Sequence, residues 1–497
     1  MKKRTPQPAK RSYFFGPGFR DIGKAIRDSW RQQTGTAYRY YQKSIDSGGI
    51  LTLTGIMNFF CALSVVLFGT IFFGAISLVI LSIFTVMYAL VYVGFLLVWG
   101  LDRFYLLRKR IFTACPVDKA KFLIPTYLCP NCRAHHTNLT PGVYGIFKRK
   151  CNCGHSLPTA FFNGRKKLTA ICPSCLENGI TTYLNSQESR PLCVPVVGGR
   201  SVGKTAYITA FTREFTGMVV PQHGMEAAYY DKQSQDTYDM IVRDFDSGAT
   251  RMTARPQDRS TPSSTAVSFF VRHKKLKPER LFHIYDIAGE VFTDNHENEV
   301  QKQYEYCQGI IFMVDPFSIP EVKAKYDRLL SPEDRAGIGS ADLNGVIDVF
   351  LNKLREVTGL SERDLSRVPL AVVIGKIDSA GLRDEFSEDQ VANARFAFSA
   401  EPVDRADAMD YLCREFLRKH GMQSFINTID LRFKTNRYFA CSAIGHTRDK
   451  GQYRPQGVME PMGWICQQAD RALADLWVDY RYTSTPALRQ RKEGADL

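Results

Sequence analysis

Charged residues are absent from one long stretch of the chain. Residues 47–101 contain no Asp, Glu, Lys, Arg or His, and Leu, Ile, Val and Phe dominate them. Because a core helix of a soluble protein rarely runs this long without a charge on any face, a buried soluble hairpin is disfavoured. The run also starts too late and is too long for a cleaved signal peptide. These exclusions favour a membrane segment.

The length of the charge-free run predicts two membrane-spanning helices. One crossing needs about 20 residues, so we place helices at Leu53–Phe73 and Ser77–Trp99, with a tight turn near Gly74. Basic residues flank both ends of the run, which favours a cytoplasmic location for both flanks. We therefore expect a multi-pass protein of the bacterial inner membrane, with its termini in the cytoplasm and the lipid bilayer as a partner.

Acidic residues are scarce before this run. Residues 1–46 hold eleven Lys and Arg against three Asp and Glu, and contribute about half of the net charge of +15. Trp30, Tyr38, Tyr40 and Tyr41 interleave with the basic residues. Such a cytoplasmic arm either forms a helix on anionic lipid headgroups or stays a partly ordered tail, and the sequence leaves both open. Nucleic acid is a less favoured partner beside a membrane anchor.

The rest of the chain divides into three parts without internal repeats. Residues 102–190 form a linker and a cysteine-rich segment, residues 191–480 alternate strand-like and helical patterns, and residues 481–497 form a polar tail. This alternation predicts an α/β fold, a parallel sheet with helices on both faces. Helical patterns include Leu343–Val357 and Met409–Lys419. The predicted strands are 193–197, 266–271, 281–285, 309–314, 369–374 and 437–441.

Paired cysteines predict a zinc ribbon within residues 102–190. Cys129-Pro-Asn-Cys132 is followed, at a hairpin's distance, by Cys151-Asn-Cys153. Four thiolates suit tetrahedral Zn²⁺ and make a closed, structural site. Disulfides are disfavoured in a cytoplasmic segment.

A third pair, Cys172-Pro-Ser-Cys175, is a possible zinc pair whose partners the sequence leaves open. Buried free cysteines are the alternative. The candidate partners are Cys115, Cys193, His135, His136 and His155.

Residues 198–205 match the phosphate-binding pattern G-x-x-x-x-G-K-[ST], between a predicted strand and a helix start. Glycines let backbone N–H groups turn toward phosphate oxygens at the positive end of a helix. Lys204 can then reach the β- and γ-phosphates, and the Thr205 hydroxyl can hold Mg²⁺. The predicted nucleotide contacts of the loop are Gly198, Gly199, Arg200, Ser201, Val202, Gly203, Lys204 and Thr205.

A D-x-x-G motif follows the strand predicted at 281–285. It reads Asp286-Ile-Ala-Gly289 and is followed by Glu290. The carboxylate of Asp286 would hold Mg²⁺ through water, and the Gly289 N–H would contact the γ-phosphate, so that loss of this phosphate releases the next segment.

Two more motifs lie at the ends of later strands. Gly375-Lys376-Ile-Asp378 is similar to the guanine-reading N-K-x-D motif, with Gly in place of Asn. The Asp378 carboxylate can accept hydrogen bonds from guanine N1–H and the N2 amine, a donor pair that adenine lacks, while the Lys376 stem can lie over the purine. Ser442-Ala443 ends the last strand, as in loops whose backbone contacts the guanine oxygen.

Together these motifs resemble those of TRAFAC-class, Ras-like and translation-factor-related P-loop GTPases. The stretches 139–147 and 151–158 extend the resemblance to bacterial membrane-associated GTPases with a zinc ribbon, grouped as double-GTPase-type proteins. The resemblance implies a P-loop NTPase sheet, binding of GTP and GDP with Mg²⁺, slow GTP hydrolysis as a regulatory switch, and an unidentified protein effector. The alternative is a nucleotide-binding membrane scaffold with little or no hydrolysis.

Some positions depart from the Ras-like pattern or stay open. Glu290 stands where Gln commonly orients the attacking water. Glu290 can orient the attacking water, act as a weak base, or be a solvated switch residue. In the first two roles it would be catalytic together with Lys204 and Thr205. Arg200 occupies a loop position that is glycine in Ras-like proteins, where its side chain can crowd an incoming arginine finger, supply a positive charge itself, or point into solvent. Thr261 and Thr265 are both candidates for the switch threonine that caps Mg²⁺.

Overall fold

The computed structural model describes residues 7–115, 118, 120–184, 189–246, 264–287, 306–332, 335, 337–339, 342–358, 366–397, 403–445 and 453–478. The polar tail lies outside these residues. The chain divides into two compact units, Met1–Arg110 with Ile124–Pro173, and Ile111–Leu123 with Ser174–Leu497.

Two long antiparallel helices make up most of the first unit, α1 (Pro17–Asp46) and α2 (Leu53–Arg108). The Trp30 indole N–H lies 3.3 Å from the Ser77 hydroxyl oxygen. Toward the start of α1, the ring of Phe15 meets that of Tyr92 edge-on at 5.2 Å between centroids. The basic arm is therefore not a free tail, since its residues 17–46 form a helix along α2.

The chain reverses before α2 rather than within the charge-free run. Gly48 and Gly49 adopt φ values of +91° and +86°, a left-handed conformation that glycine tolerates best. Thr52 then caps α2 by accepting a hydrogen bond from the Gly55 N–H at 3.1 Å. The predicted turn near Gly74 is wrong, because α2 continues through it as one helix of 56 residues. A single glycine costs a helix only about 1 kcal/mol, and no proline interrupts the apolar residues around it.

Short strands follow α2. In the first unit, β4 and β7 pair antiparallel with β3, and β5 pairs with β6. The N-terminal segment extends the latter pair, since Ala9 bridges Cys151 and the Lys10 N–H donates to the Lys150 carbonyl at 3.2 Å. The bounds are β1 Thr113–Ala114, β2 Lys121–Phe122, β3 Thr126–Leu128, β4 His135–His136, β5 Lys148–Lys150, β6 Ser156–Pro158, β7 Ala170–Ile171 and β8 Tyr183–Leu184.

A buried ion pair ties the end of α2 to these strands. The Asp102 carboxylate on α2 accepts two bonds from the Arg165 guanidinium, at 3.0 and 3.2 Å, and both side chains are at most 1% exposed. Asp102 also accepts from the Phe161 N–H at 2.9 Å. Arg165 further donates to the carbonyls of Thr159 and Leu139. All five groups thus form one network with its charges paired.

A seven-stranded sheet forms the core of the second unit, in the order β10-β11-β12-β9-β13-β14-β15. The strands from β12 to β15 in this order are parallel, and β10 and β11 are antiparallel to their neighbours. All six predicted strands are present. The bounds are β9 Arg190–Val197, β10 Glu226–Tyr229, β11 Ser264–Arg272, β12 Arg280–Ile287, β13 Ile310–Val314, β14 Leu370–Ile374 and β15 Asn436–Ala440.

The parallel sheet predicted from the sequence is therefore a mixed one. Residues 273–279 join β11 to β12. A parallel crossover needs about a dozen residues, so this short loop forces an antiparallel hairpin. The edge strand β10 was not predicted, because Glu226-Ala-Ala-Tyr229 is short and carries no apolar run.

Helices cover both faces of the sheet, as predicted. On one face Phe312 packs against Phe350 and Phe425, and on the other Phe282 shares a core with Phe211 and Trp464. The helices are α3 Pro173–Glu177, α4 Lys204–Glu214, α5 Lys232–Asp246, α6 Pro320–Tyr326, α7 Leu343–Thr358, α8 Glu388–Ala394, α9 Arg405–Lys419, α10 Gln423–Arg432, α11 Met459–Ala469 and α12 Arg471–Trp477.

Candidate functional site

The loop 198–205 joins the central strand β9 to α4, as its sequence predicts. Gly198 has φ +145°, and a Cβ there would lie 2.5 Å from the carbonyl oxygen of Met313. Gly203 has φ +91° directly before the first turn of α4. Both positions require glycine, so the loop is held against the sheet with the positive end of α4 behind it.

Lys204 lies inside the curve of this loop. Its side chain is buried, and the Nζ donates to the carbonyls of Gly199 at 2.7 Å and Gly198 at 3.2 Å. Burial lowers the pKa of Lys204 to about 8, against the opposing effect of the Asp286 carboxylate. An anion at the loop would favour the charged form of this lysine.

A hydroxyl and a carboxylate meet beside the loop. Thr205 Oγ1 donates to Asp286 Oδ2 at 2.5 Å, because β12 runs parallel to β9 and brings Asp286 level with Val196. Asp286 is 6% exposed. Both groups are hard oxygen ligands of the kind Mg²⁺ prefers, so the residues present fit a magnesium ion.

The two predicted base-reading segments lie at one edge of the sheet. β14 and β15 are parallel and in register, with Ile374 opposite Ala440, so Lys376–Asp378 and Ser442–Ala443 leave neighbouring strand ends. The Ser442 hydroxyl accepts from the Gly445 N–H at 2.8 Å, which orders the loop after β15. This arrangement brings residues 376 and 442, which are 66 positions apart in the chain, together at the side of the loop 198–205.

Asp315 belongs to the same edge and was not predicted. It directly follows β13, is fully buried, and accepts from Lys376 Nζ at 2.6 Å and the Gly339 N–H at 3.2 Å. Lys376 Nζ also donates to the Gly337 carbonyl at 3.0 Å. Asp315 therefore orients the lysine of the predicted base-reading motif. The sequence feature that could have identified Asp315 is its position directly after a buried parallel strand.

Some of the remaining predicted site residues lie within the described part of the chain and others lie outside it. Arg200 and Ser201 are exposed and Val202 is buried in the loop. Thr265 pairs in register with Asp286 in the β11–β12 hairpin. Outside the described residues lie Gly289, Glu290 and Thr261.

The four cysteines of the predicted ribbon come together. Their sulfur atoms all lie within 4.8 Å of one another. The Cys129–Cys153 and Cys132–Cys151 sulfur distances are 3.6 and 3.5 Å. A tetrahedral zinc with Zn–S bonds near 2.3 Å separates thiolates by about 3.8 Å, so this donor set fits zinc.

Cys175, from the third pair, finds a partner among the candidates. Its sulfur lies 3.6 Å from that of Cys115 in the second unit. Within the described part of the chain, the groups of potential metal ligands include neither Cys193 nor any of the candidate histidines.

Comparison with known proteins supports a GTPase-like domain in the second unit. Residues 192–428 match the family model Double-GTPase 2. No curated protein is significantly similar to the chain. Solved structures that share local similarity include the Arl6 BBS3 small GTPase of Trypanosoma brucei with a bound nucleotide analogue (14% identity, 57% of this chain, 99% of that chain, TM-score 0.22). Another is the Ski7 GTPase-like domain of S. cerevisiae bound to GTP (10% identity, 57% of this chain, 50% of that chain, TM-score 0.26).

This chain spans half of the Ski7 chain. The family match and the residues gathered around loop 198–205 support a P-loop GTPase-like domain within residues 192–428.

Proposed function

We propose that this chain is a membrane-anchored GTPase that binds GTP with Mg²⁺, hydrolyses it to GDP, and acts as a switch for a protein effector on the cytoplasmic face. One observation carries the proposal. The groups suited to phosphate, to Mg²⁺ and to guanine all lie where parallel strands of one sheet end, which is where ligands bind in open α/β sheets.

Each part of the site has a separate task. The loop amides and the Lys204 ammonium bind the phosphates, and Asp378 selects guanine. Thr205 and Asp286 would hold Mg²⁺, which when bound neutralises charge that develops on the phosphates. Catalysis then depends on positioning and electrostatic stabilisation while water attacks in line.

Competition binding on the full chain in detergent tests the nucleotide part. GTP should displace a fluorescent guanine nucleotide at least about 100-fold better than ATP, since adenine lacks the donor pair that a carboxylate reads. Equal competition by ATP would remove the guanine assignment. A single-turnover assay then separates a GTPase from a scaffold: bound GTP that releases no phosphate over hours supports the scaffold.

The membrane part depends on α2. Among the described residues, α2 is the one helix long and apolar enough to cross a membrane. Its side chains stay exposed over most of its length, including Phe68, Ile71 and Phe72 at more than 60%. Exposed apolar surface of this extent favours lipid as its environment. The protein should remain in the membrane pellet after alkaline carbonate extraction, and recovery in the soluble fraction without detergent would rule the anchor out.

Changing Asp378 to Asn should move the preference from guanine to xanthine nucleotides. The carboxylate accepts two charge-assisted bonds from guanine, and their loss weakens GTP binding by about 30-fold or more, or ~2 kcal/mol. An amide offers one acceptor and one donor, which match the N1–H and C2 carbonyl of xanthine. Binding constants for GTP and XTP measure the shift, and Asp384→Asn, an acid-to-amide change a few residues on, is the matched control. Unchanged selectivity would show that Asp378 does not read the base.

Gly375→Asn should strengthen GTP binding several-fold, about 1 kcal/mol, by restoring the bridging amide of the N-K-x-D motif. The position has space, because a Cβ there would meet the flexible end of Met313 at 3.3 Å and the Val202 carbonyl at 3.5 Å. Gly375→Ala adds the Cβ without the amide and should leave the affinity unchanged or slightly weaker. The dissociation constants of the two variants decide the prediction, and equal values would contradict it.

A further inference from the structure

Two tight turns of the chain share one local geometry. In the zinc-ribbon turn Cys129-Pro-Asn-Cys132, the Cys129 N–H donates to the Ala134 carbonyl at 3.0 Å. Just outside this bond, Leu128 pairs with His135 across the β3–β4 hairpin. The two potential ligands, Cys129 and Cys132, are three residues apart. The hydrogen bond that closes the turn joins Cys129 to Ala134, the fifth residue after it.

The turn between β1 and β2 repeats this pattern in the sequence Cys115-Pro-Val-Asp118. The Cys115 N–H donates to the Ala120 carbonyl at 3.0 Å, again to the fifth residue on. Ala114 pairs with Lys121 just outside it, in the same register. Asp118 therefore stands where the second cysteine of a zinc-binding turn stands.

The ligand atoms of this turn meet Cys175. The Cys115 and Cys175 sulfurs are 3.6 Å apart, the same distance as the Cys129 and Cys153 sulfurs of the ribbon. A carboxylate oxygen of Asp118 lies within 4.8 Å of both sulfurs. This spacing suits ligands around one metal ion and far exceeds a disulfide bond of about 2.05 Å.

We propose that Cys115, Asp118 and Cys175, which all belong to the second unit, bind a second zinc ion. Two thiolates and one carboxylate are ligands that Zn²⁺ accepts. Cys115 and Cys175 are at most 2% exposed, so the site is buried, and it is independent of the proposed GTPase function.

Zinc analysis of the full chain, purified in detergent under reducing conditions, tests the proposal. We expect about two zinc ions per chain, one from each set of ligands. Cys115→Ser should lower the content to about one. Cys61→Ser is the matched control, because Cys61 is exposed on α2 and belongs to neither set, and it should keep two. One zinc in the unmodified chain, or two in Cys115→Ser, would overturn the proposal.

Asp118 variants provide a test that does not depend on a cysteine loss. With Co²⁺ in place of Zn²⁺, Asp118→Cys should keep two metals and raise the thiolate-to-cobalt absorbance, since one more thiolate coordinates. Asp118→Ala should speed zinc release to a chelator about tenfold in one of two phases. An unchanged far-UV circular dichroism spectrum shows that each variant is folded. Unchanged absorbance in the first variant together with unchanged release in the second would contradict a role for Asp118 as a ligand.

Discussion

Lys204→Ala should reduce the affinity for guanine nucleotides by about 100-fold or more. The Lys204 ammonium is buried inside loop 198–205, where a bound phosphate would accept its hydrogen bonds in a medium that screens charge poorly. The loss of two charge-assisted hydrogen bonds corresponds to about 3 kcal/mol.

The fold should survive this change, which separates a binding defect from misfolding. In the structure Lys204 donates only to loop carbonyls among the interactions described for its Nζ, and removing a buried cation also removes its desolvation cost. Lys434→Ala is the matched control, since it removes one positive charge from an exposed position before β15, at the opposite end of the parallel strands, and should change affinity less than about threefold. Titration with a fluorescent GTP analogue, alongside thermal unfolding, gives both readouts. Near-normal affinity in Lys204→Ala would mean that the loop does not bind phosphate.

The structure brings the predicted site residues together because the position of each is set by local structure. Loop 198–205, Asp286, Asp378 and Ser442 each follow a buried strand, and parallel strands bring their ends to one edge whatever the details of the packing. Asp315 lies at the same edge but was missed. Its role depends on a contact with Lys376, which only the tertiary arrangement creates.

The turn in the charge-free segment was predicted wrongly, for a different physical reason. Absence of charge within 47–101 indicates an apolar environment but does not say where the chain turns. The turn depends on the left-handed glycines at 48 and 49 and on the packing of α1 along α2. Because α1 carries many charges, its pairing with an apolar helix could not be inferred from composition. At about 1.5 Å per residue α2 is roughly 84 Å long, well beyond the ~30 Å bilayer core.

Asp102→Asn should destabilise the first unit by about 3–5 kcal/mol, because it leaves the buried Arg165 guanidinium without its countercharge. Asp102 also accepts the Phe161 N–H, so the change weakens the link between α2 and the following turn. Chemical unfolding in detergent, followed by protease resistance of residues 124–173, measures the loss. Asp28→Asn, the same acid-to-amide change at an exposed position of α1, should have no measurable effect.

The double variant Asp102→Leu with Arg165→Met tests whether unpaired charge is the cause. Replacing both members of a buried ion pair with apolar side chains is often neutral or stabilising, whereas removing one member is costly. The double variant should therefore recover much of the stability lost in Asp102→Asn, although the Phe161 N–H loses its acceptor and the carbonyls of Thr159 and Leu139 lose their donor. Equal loss in both variants would show instead that α2 is held by the hydrogen bonds of Asp102 and Arg165 rather than by the pairing of their charges.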